Sequence, residues 1–246
     1  RLRLLLVLTV VDIRAVGPGV WNSWKRQLLS DLFSGAEEVL RLGHKQRGRE
    51  DRIRVKKAEL QAAIGLSDAV FERVSKRLAD AYWIAEPNDI IERNIRFLLD
   101  NDNAELEIDV CYYPERGATL VTVLAADHPG LFSRIAGAIH LAGGNIIDAR
   151  IHTSRDGIAI DNFLVQDPLG RPFMEADQLL RLKRSIEDAL ANRVKLTAKL
   201  NAKSTNRRRA DVFRIAPSAL IDNDVSNRFT VIEVNAMDRP ALLSHL

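Results

Sequence analysis

Apolar and polar positions along the chain follow two periods, one of strands and one of helices. From Leu120 to Ala126 the residues are apolar and β-branched, which predicts a buried strand. Leu131, Ile135, Ile139 and Ala142 then recur at helical spacing and form one apolar stripe. Pro129 stands where the first helical turn would begin, with Asp127 and His128 ahead of it as caps, and Gly143-Gly144-Asn145 ends the helix. Ile146–Thr153 and Ile158–Val165 read as strands, and Asp156-Gly157 between them is a hairpin signal. A second helix, Glu175 to Asn192, carries Leu179, Leu182, Ile186 and Leu190 on one face. The order β-α-β-β-α asks for a closing strand, which Val212-Phe213-Arg214-Ile215 can supply, so this stretch predicts a split β-α-β sandwich.

The first hundred residues have helical periodicity only. Arg1–Ala15 reads as a buried helix that carries Asp12, and Trp21, Trp24, Leu28, Leu29 and Phe33 fit a helix packing back on that core. Leu60–Ala81 keeps the period through Leu60, Ile64, Val70, Val74 and Leu78, with Ser67 as a cap for its second half. The segment Ala81–Pro87 ends it, since the residue before a proline disfavours helix. Asp89–Asp100 is a further amphipathic helix. Leu106, Ile108, Val110 and Tyr112 alternate with polar neighbours, as an edge strand does, and Pro114–Gly117 is a turn that marks a domain boundary. The fold class is therefore α+β: an all-helical N-terminal segment, then a ferredoxin-like βαββαβ unit.

Composition narrows the setting without changing that picture. Hydrophobic residues make up 46% of 246, enough for a core, and the net charge of +3 requires no polyanionic partner. The single cysteine, Cys111, excludes a disulfide framework within the chain and suits a reducing, cytoplasmic setting. Apolar runs such as Leu4–Val11 are too short to span a bilayer, and no secretory signal is present. The chain opens inside an apolar segment without a Met and reads as a piece of a longer protein. Two basic runs, Gly43–Lys57 and Lys195–Arg209, admit a phosphate-binding reading, but a solvated helix face and a solvated loop are preferred.

Candidate chemistry is concentrated after the first strand of the sandwich. A strand ending in Asp127-His128-Pro129-Gly130-Leu131 leaves the first N–H groups of a helix facing outward, where they and the helix dipole favour a carboxylate. Gly130 leaves the backbone open to a ligand, and Asn145 would bring an amide to the same edge. Turn chemistry alone also accounts for Asp, Pro and Gly here. No nucleophile or base is placed to transform a bound molecule.

Asp127-x-Pro129-Gly130-Leu131 with Gly144-Asn145-Ile146 downstream resembles the ACT domain, an amino-acid-sensing module of metabolic regulators. The resemblance implies an effector loop of Asp127, His128, Gly130 and Leu131, with Asn145 as its polar partner. Val231 to Leu243 aligns without gaps on Leu120 to Phe132, so a second copy begins there, with Asp238, Ala241 and Leu242 in the equivalent places and an alanine where the first has glycine. Leu8–Pro18 with Trp21-Asn22-Ser23-Trp24 is similar to the end of the HD hydrolase domain of bifunctional uridylyltransferase/uridylyl-removing enzymes. In that family the residue matching Asp12 is the last ligand of a divalent metal, Mg or Mn. The other ligands, a His and a His-Asp pair, are absent from this sequence.

The resemblance thus divides the chain into an HD-domain tail (1–42), a connector with an edge strand (43–115), a first ACT domain (116–224) and the truncated start of a second (225–246). It implies a regulatory region that senses glutamine for a parent enzyme acting on the PII signal protein with UTP. It also implies ACT–ACT pairing, no membrane contact and no cofactor in this piece itself. Two other classes fit the residues less well. A catalytic fragment lacks any complete site, since Asp100-Asn101-Asp102 has no glycine-rich phosphate loop before it. An RNA-binding sandwich needs strand aromatics, and Ile158–Val165 offers only Phe163. An ACT module of another metabolic enzyme remains an alternative.

Overall fold

The computed structural model describes residues 1–17, 21, 23–42, 49–102, 104–204, 216–224, 230–236 and 241–244. Six helices come first: α1 (Leu2–Ala15), α2 (Ser23–Leu42), α3 (Arg49–Ile64), α4 (Asp68–Arg77), α5 (Asp80–Ala85) and α6 (Asn88–Asp100). Next come strands β1 (Leu106–Tyr113) and β2 (Ala118–Ala126), helix α7 (Leu131–Leu141), strands β3 (Asn145–Thr153) and β4 (Ile158–Gln166), and helices α8 (Ala176–Leu190) and α9 (Leu196–Ser204). A separate hairpin of β5 (Ser218–Asp222) and β6 (Val231–Asn235) comes last.

The main sheet is antiparallel with strand order β1-β2-β4-β3. Its two central strands are buried almost throughout because both of their faces are covered. On one face α7 and α8 bring Leu131, Ile135, Ile139, Leu182 and Ile186 against Val121, Val123, Phe163 and Val165. On the other, the helices α3–α6 bring Phe71, Tyr82, Trp83, Ile91 and Ile95 against Leu124 and Ile160. Helix α6 shows how the sequence builds this second layer. Ile90, Ile91, Asn94, Ile95 and Leu98 repeat at three- and four-residue steps, and all are buried. The Asn94 amide nitrogen donates to the Tyr82 hydroxyl at 2.9 Å.

The α+β architecture and the ferredoxin-like sheet are as the sequence predicts, with four local differences. The sheet edge beside β2, where the closing strand of a βαββαβ unit would lie, is taken by β1, which pairs with β2 from Leu106↔Ala125 to Tyr113↔Ala118. The expected closing strand Val212–Ile215 lies outside the described residues. Helix α7 begins after Pro129, not at it: Gly130 is the N-cap, in a left-handed conformation with φ +86°. The basic segment expected as a loop contains α9, whose Leu196 and Leu200 pack at Gly137, where a Cβ would meet Leu196 at 2.8 Å. Their four-residue spacing gives this polar helix its apolar edge.

The fourth difference is α1, expected to be buried. None of its residues is buried, and Leu4, Leu5 and Leu8 are about 60–70% exposed. Its apolar face is not covered by the described residues. No helix among them is long and apolar enough to cross a membrane.

Candidate functional site

The loop between β2 and α7 is held at both ends and open in the middle. Asp127 donates its main-chain N–H to the Gly157 carbonyl at 2.9 Å, and its carboxylate accepts from the Thr153 hydroxyl at 2.6 Å. The Leu131 N–H turns back to the His128 carbonyl at 3.1 Å. The first helical hydrogen bond runs from the Arg134 N–H to the Gly130 carbonyl at 3.1 Å, joined there by the Ser133 hydroxyl at 3.0 Å. No side chain caps the helix, so the N–H groups of Phe132 and Ser133 precede its ladder. Asp127, His128, Pro129 and Gly130 are all exposed, and Leu131 is buried as the anchor of the turn. The glycine is required by its backbone angle: a Cβ there would meet nothing closer than Ser133 Oγ at 3.8 Å. His128 directs Nδ1 to the carbonyl of its neighbour Pro129 at 3.0 Å.

The structure does not bring Asn145 to this loop. Asn145 pairs with Gln166, whereas the loop lies at the other end of the sheet, where Ala126 pairs with Ile158 and Thr153 with Ala159. The reason is the crossover: α7 carries the chain back so that β3 runs parallel to β2 and starts where β2 starts. The residue that β3 contributes to the loop is its last, Thr153. Gly144, just before Asn145, serves packing, since a Cβ there would lie 2.7 Å from both Ile139 and Val165.

The second candidate loop is described in part. Ala241 adopts φ +63°, and its carbonyl accepts from the Ser244 N–H at 3.0 Å and the Ser244 hydroxyl at 2.7 Å. Leu242 opens a short 3-10 turn, Leu242–Ser244. Asp238, the basic residues 44–47 and Arg207–Arg209 lie outside the described residues. Asp12 is exposed on α1, and no cluster of three or more His, Cys, Asp or Glu able to hold a metal occurs among the described residues. Those residues do not fit a divalent-metal site.

Below the α7 face lies a residue that periodicity does not single out. Asp161 sits on central strand β4, opposite Val123 and Ile151, and is 1% exposed. No described group donates a hydrogen bond to either of its carboxylate oxygens. Burial pushes its acid up to about 7; the His152 main-chain N–H, outside hydrogen-bond geometry, pulls the other way, and the Asp127 charge pushes it further up. A charged residue in the alternating series Ala159, Asp161, Phe163, Val165, otherwise apolar, is the available sequence signal.

The opposite sheet face is polar where it meets the helices. Glu86 is buried with its carboxylate 3.2 Å from His152 Nε2 and 3.0 Å from the donating Asn162 amide. Arg150 donates to the Ala85 carbonyl, and Lys56 to the Glu86 carbonyl. At the loop end of the sheet Arg77 of α4 holds Asp156 at 2.7 Å and Asp102 at 2.6 Å, while its carbonyl accepts from the Arg155 N–H at 2.8 Å. Asp102 of the Asp-x-Asp pair thus has a structural use. Phe163, the aromatic an RNA-binding sandwich would need, is fully buried under α7, where it stacks on Phe132. Neither sheet face is open for base stacking.

Residues 119–172 match the family model of the ACT domain. Over the whole chain, identity is 65% to a bifunctional uridylyltransferase/uridylyl-removing enzyme of Novosphingobium aromaticivorans, 57% to that of Erythrobacter litoralis and 44% to that of Zymomonas mobilis. The chain spans 27% of the length of each of these relatives and matches their C-terminal part.

Proposed function

We propose that this chain is the regulatory C-terminal region of a bifunctional uridylyltransferase/uridylyl-removing enzyme, and that its ACT unit binds glutamine at the Asp127–Leu131 loop. The parent would transfer UMP from UTP to the PII signal protein and remove it again in the cytoplasm, using Mg or Mn in domains outside this chain. The observation that carries the effector site is the uncapped start of α7 at an exposed loop, inside a chain that matches these enzymes from end to end. Helix N–H groups and the dipole stabilise a bound carboxylate there.

Coupling to the parent's catalytic domains runs through the connector. The loop is bonded to Gly157, and the same hairpin tip is clamped to α4 by Arg77. A loop that closes on its ligand therefore loads the tip against α4, and regulation is the resulting coupling free energy. Pairing of ACT units, within or between chains, would complete the pocket on its open side.

Titrating glutamine calorimetrically into this chain, and into a version extended through the second ACT unit, tests the reading. Binding to both places the sensor in the first unit. Binding to the longer version alone makes the pocket a product of two units. Absence of heat with either, in folded protein, contradicts an effector role.

A further inference from the structure

We propose that Asp161 is the cation-recognising residue of the effector site: it pairs with the ammonium group of an α-amino acid whose carboxylate rests on the first turn of α7. The proposal rests on the effector reading above and names the residue that reads the amino group.

A buried polar side chain normally has a partner, and the other buried polar side chains of the central strands β2 and β4 do. Thr122 donates to Asn162 at 3.0 Å, Asn162 to Glu86 at 3.0 Å, Gln166 to the Gly117 carbonyl at 2.8 Å, and Thr119 to the Phe173 carbonyl at 3.0 Å. Even Glu86, with one oxygen lacking a hydrogen bond, faces His152 and Arg150. Asp161 is set against Val123, Ile151 and Phe163 instead, on the sheet face that α7 covers. An uncompensated carboxylate in such a place costs several kcal/mol in its charged form. Packing does not call for it, since Val or Ile suits the position as well as Asp.

Of the charged groups acting on Asp161, His152 favours its ionised form and Asp127 opposes it, so a stronger counter-charge would enter from the loop. Asp161 lies within electrostatic reach of Asp127, which is tied to Thr153, two residues beyond the Ile151 that faces Asp161. The N–H groups of Phe132 and Ser133 begin the helix above the same face, and Phe132 stacks on Phe163 beside Asp161. A positive helix start and a negative, unsatisfied carboxylate therefore share one face of the sheet. A zwitterion carrying carboxylate and ammonium on one carbon matches both, which selects free α-amino acids over simple carboxylates and over acylated or oxo acids.

The test uses the full-length protein and two probes, glutamine and glutaramate, which is glutamine without its α-amino group. Asp161→Asn is expected to weaken glutamine roughly tenfold to a hundredfold, the range of a lost charged hydrogen bond, and to leave glutaramate unchanged. Glutamine affinity that survives Asp161→Asn while Gly130→Val abolishes it overturns this proposal and leaves the effector site standing. Failure of glutamine to bind wild type overturns both. A readout independent of any variant is proton release. The charged groups acting on Asp161 are Asp127 and His152, and an acid near 7 must ionise to meet the ammonium. Calorimetry at pH 7 in buffers of different ionisation enthalpy is then expected to show release of about half a proton per site. Zero release contradicts the assignment, even if the variant fails to fold.

Discussion

The chain builds the same start twice, and the two differ in what covers them. In the first, Glu107↔Leu124 through Cys111↔Leu120 pair β1 with β2; in the second, Ser218↔Asn235 through Asp222↔Val231 pair β5 with β6, every position 111 residues further on. Gly130 and Ala241 correspond, both left-handed, and Ser133 and Ser244 each return a hydroxyl to the carbonyl of that residue. The repeat therefore takes in the edge strand as well as the loop. Yet β2 is buried nearly throughout, whereas Leu220, Ile221 and Ile232 of the second hairpin are about 60% exposed. Local sequence sets strand register and turn. Burial comes from helices supplied elsewhere.

The largest expected effect comes from stripping the first copy of its cover. Trp83 is fully buried between α3–α6 and the sheet, with Lys57 over its ring. Trp83→Ala should cost about 3–5 kcal/mol, read as a lower urea midpoint. The second hairpin should be indifferent to it.

Next comes the buried acid. The Asp161 acid rises from 3.8 in the unfolded chain to about 7, so its contribution is stabilising below the lower value and is lost as pH climbs through the higher one. Wild type should lose on the order of 4 kcal/mol between these limits, and Asp161→Asn should remove that slope from melts taken at pH 4 to 8. A slope of equal size in the variant would assign it to other groups.

Smaller effects separate the two loops. A left-handed alanine is disfavoured by roughly 1–2 kcal/mol, so Ala241→Gly should stabilise the second turn by about 1 kcal/mol, visible as slower amide exchange at Ser244. Gly130→Ala should cost the first turn a similar amount. Equal exchange before and after either change would show that the angle is set by packing.

Much of this is legible in the residues. The helix stripe Leu131-Ile135-Ile139, the Asp156-Gly157 hairpin and the apolar run of β2 carry their structure locally. Asn145 is misplaced by sequence reasoning because adjacency along the chain hides the crossover that sends β3 back to the far end. The place of β1 beside β2 is not legible, because an alternating strand does not name its partner. The exposure of α1 escapes for the opposite reason: an apolar helix declares that it needs cover, and sequence cannot say what provides it. Asp161 escapes because alternation identifies faces, while its meaning lies in the absence of a partner.

The central claim is that the carboxylate of a free amino acid sits on the first turn of α7. Following the amide resonances of Phe132 and Ser133 during a glutamine titration tests it most directly. Both should shift downfield together at saturating glutamine, and Gly130→Val should abolish the shift. If Phe132 and Ser133 stay fixed while resonances near Asn145 or at Leu242–Ser244 move, the effector binds elsewhere.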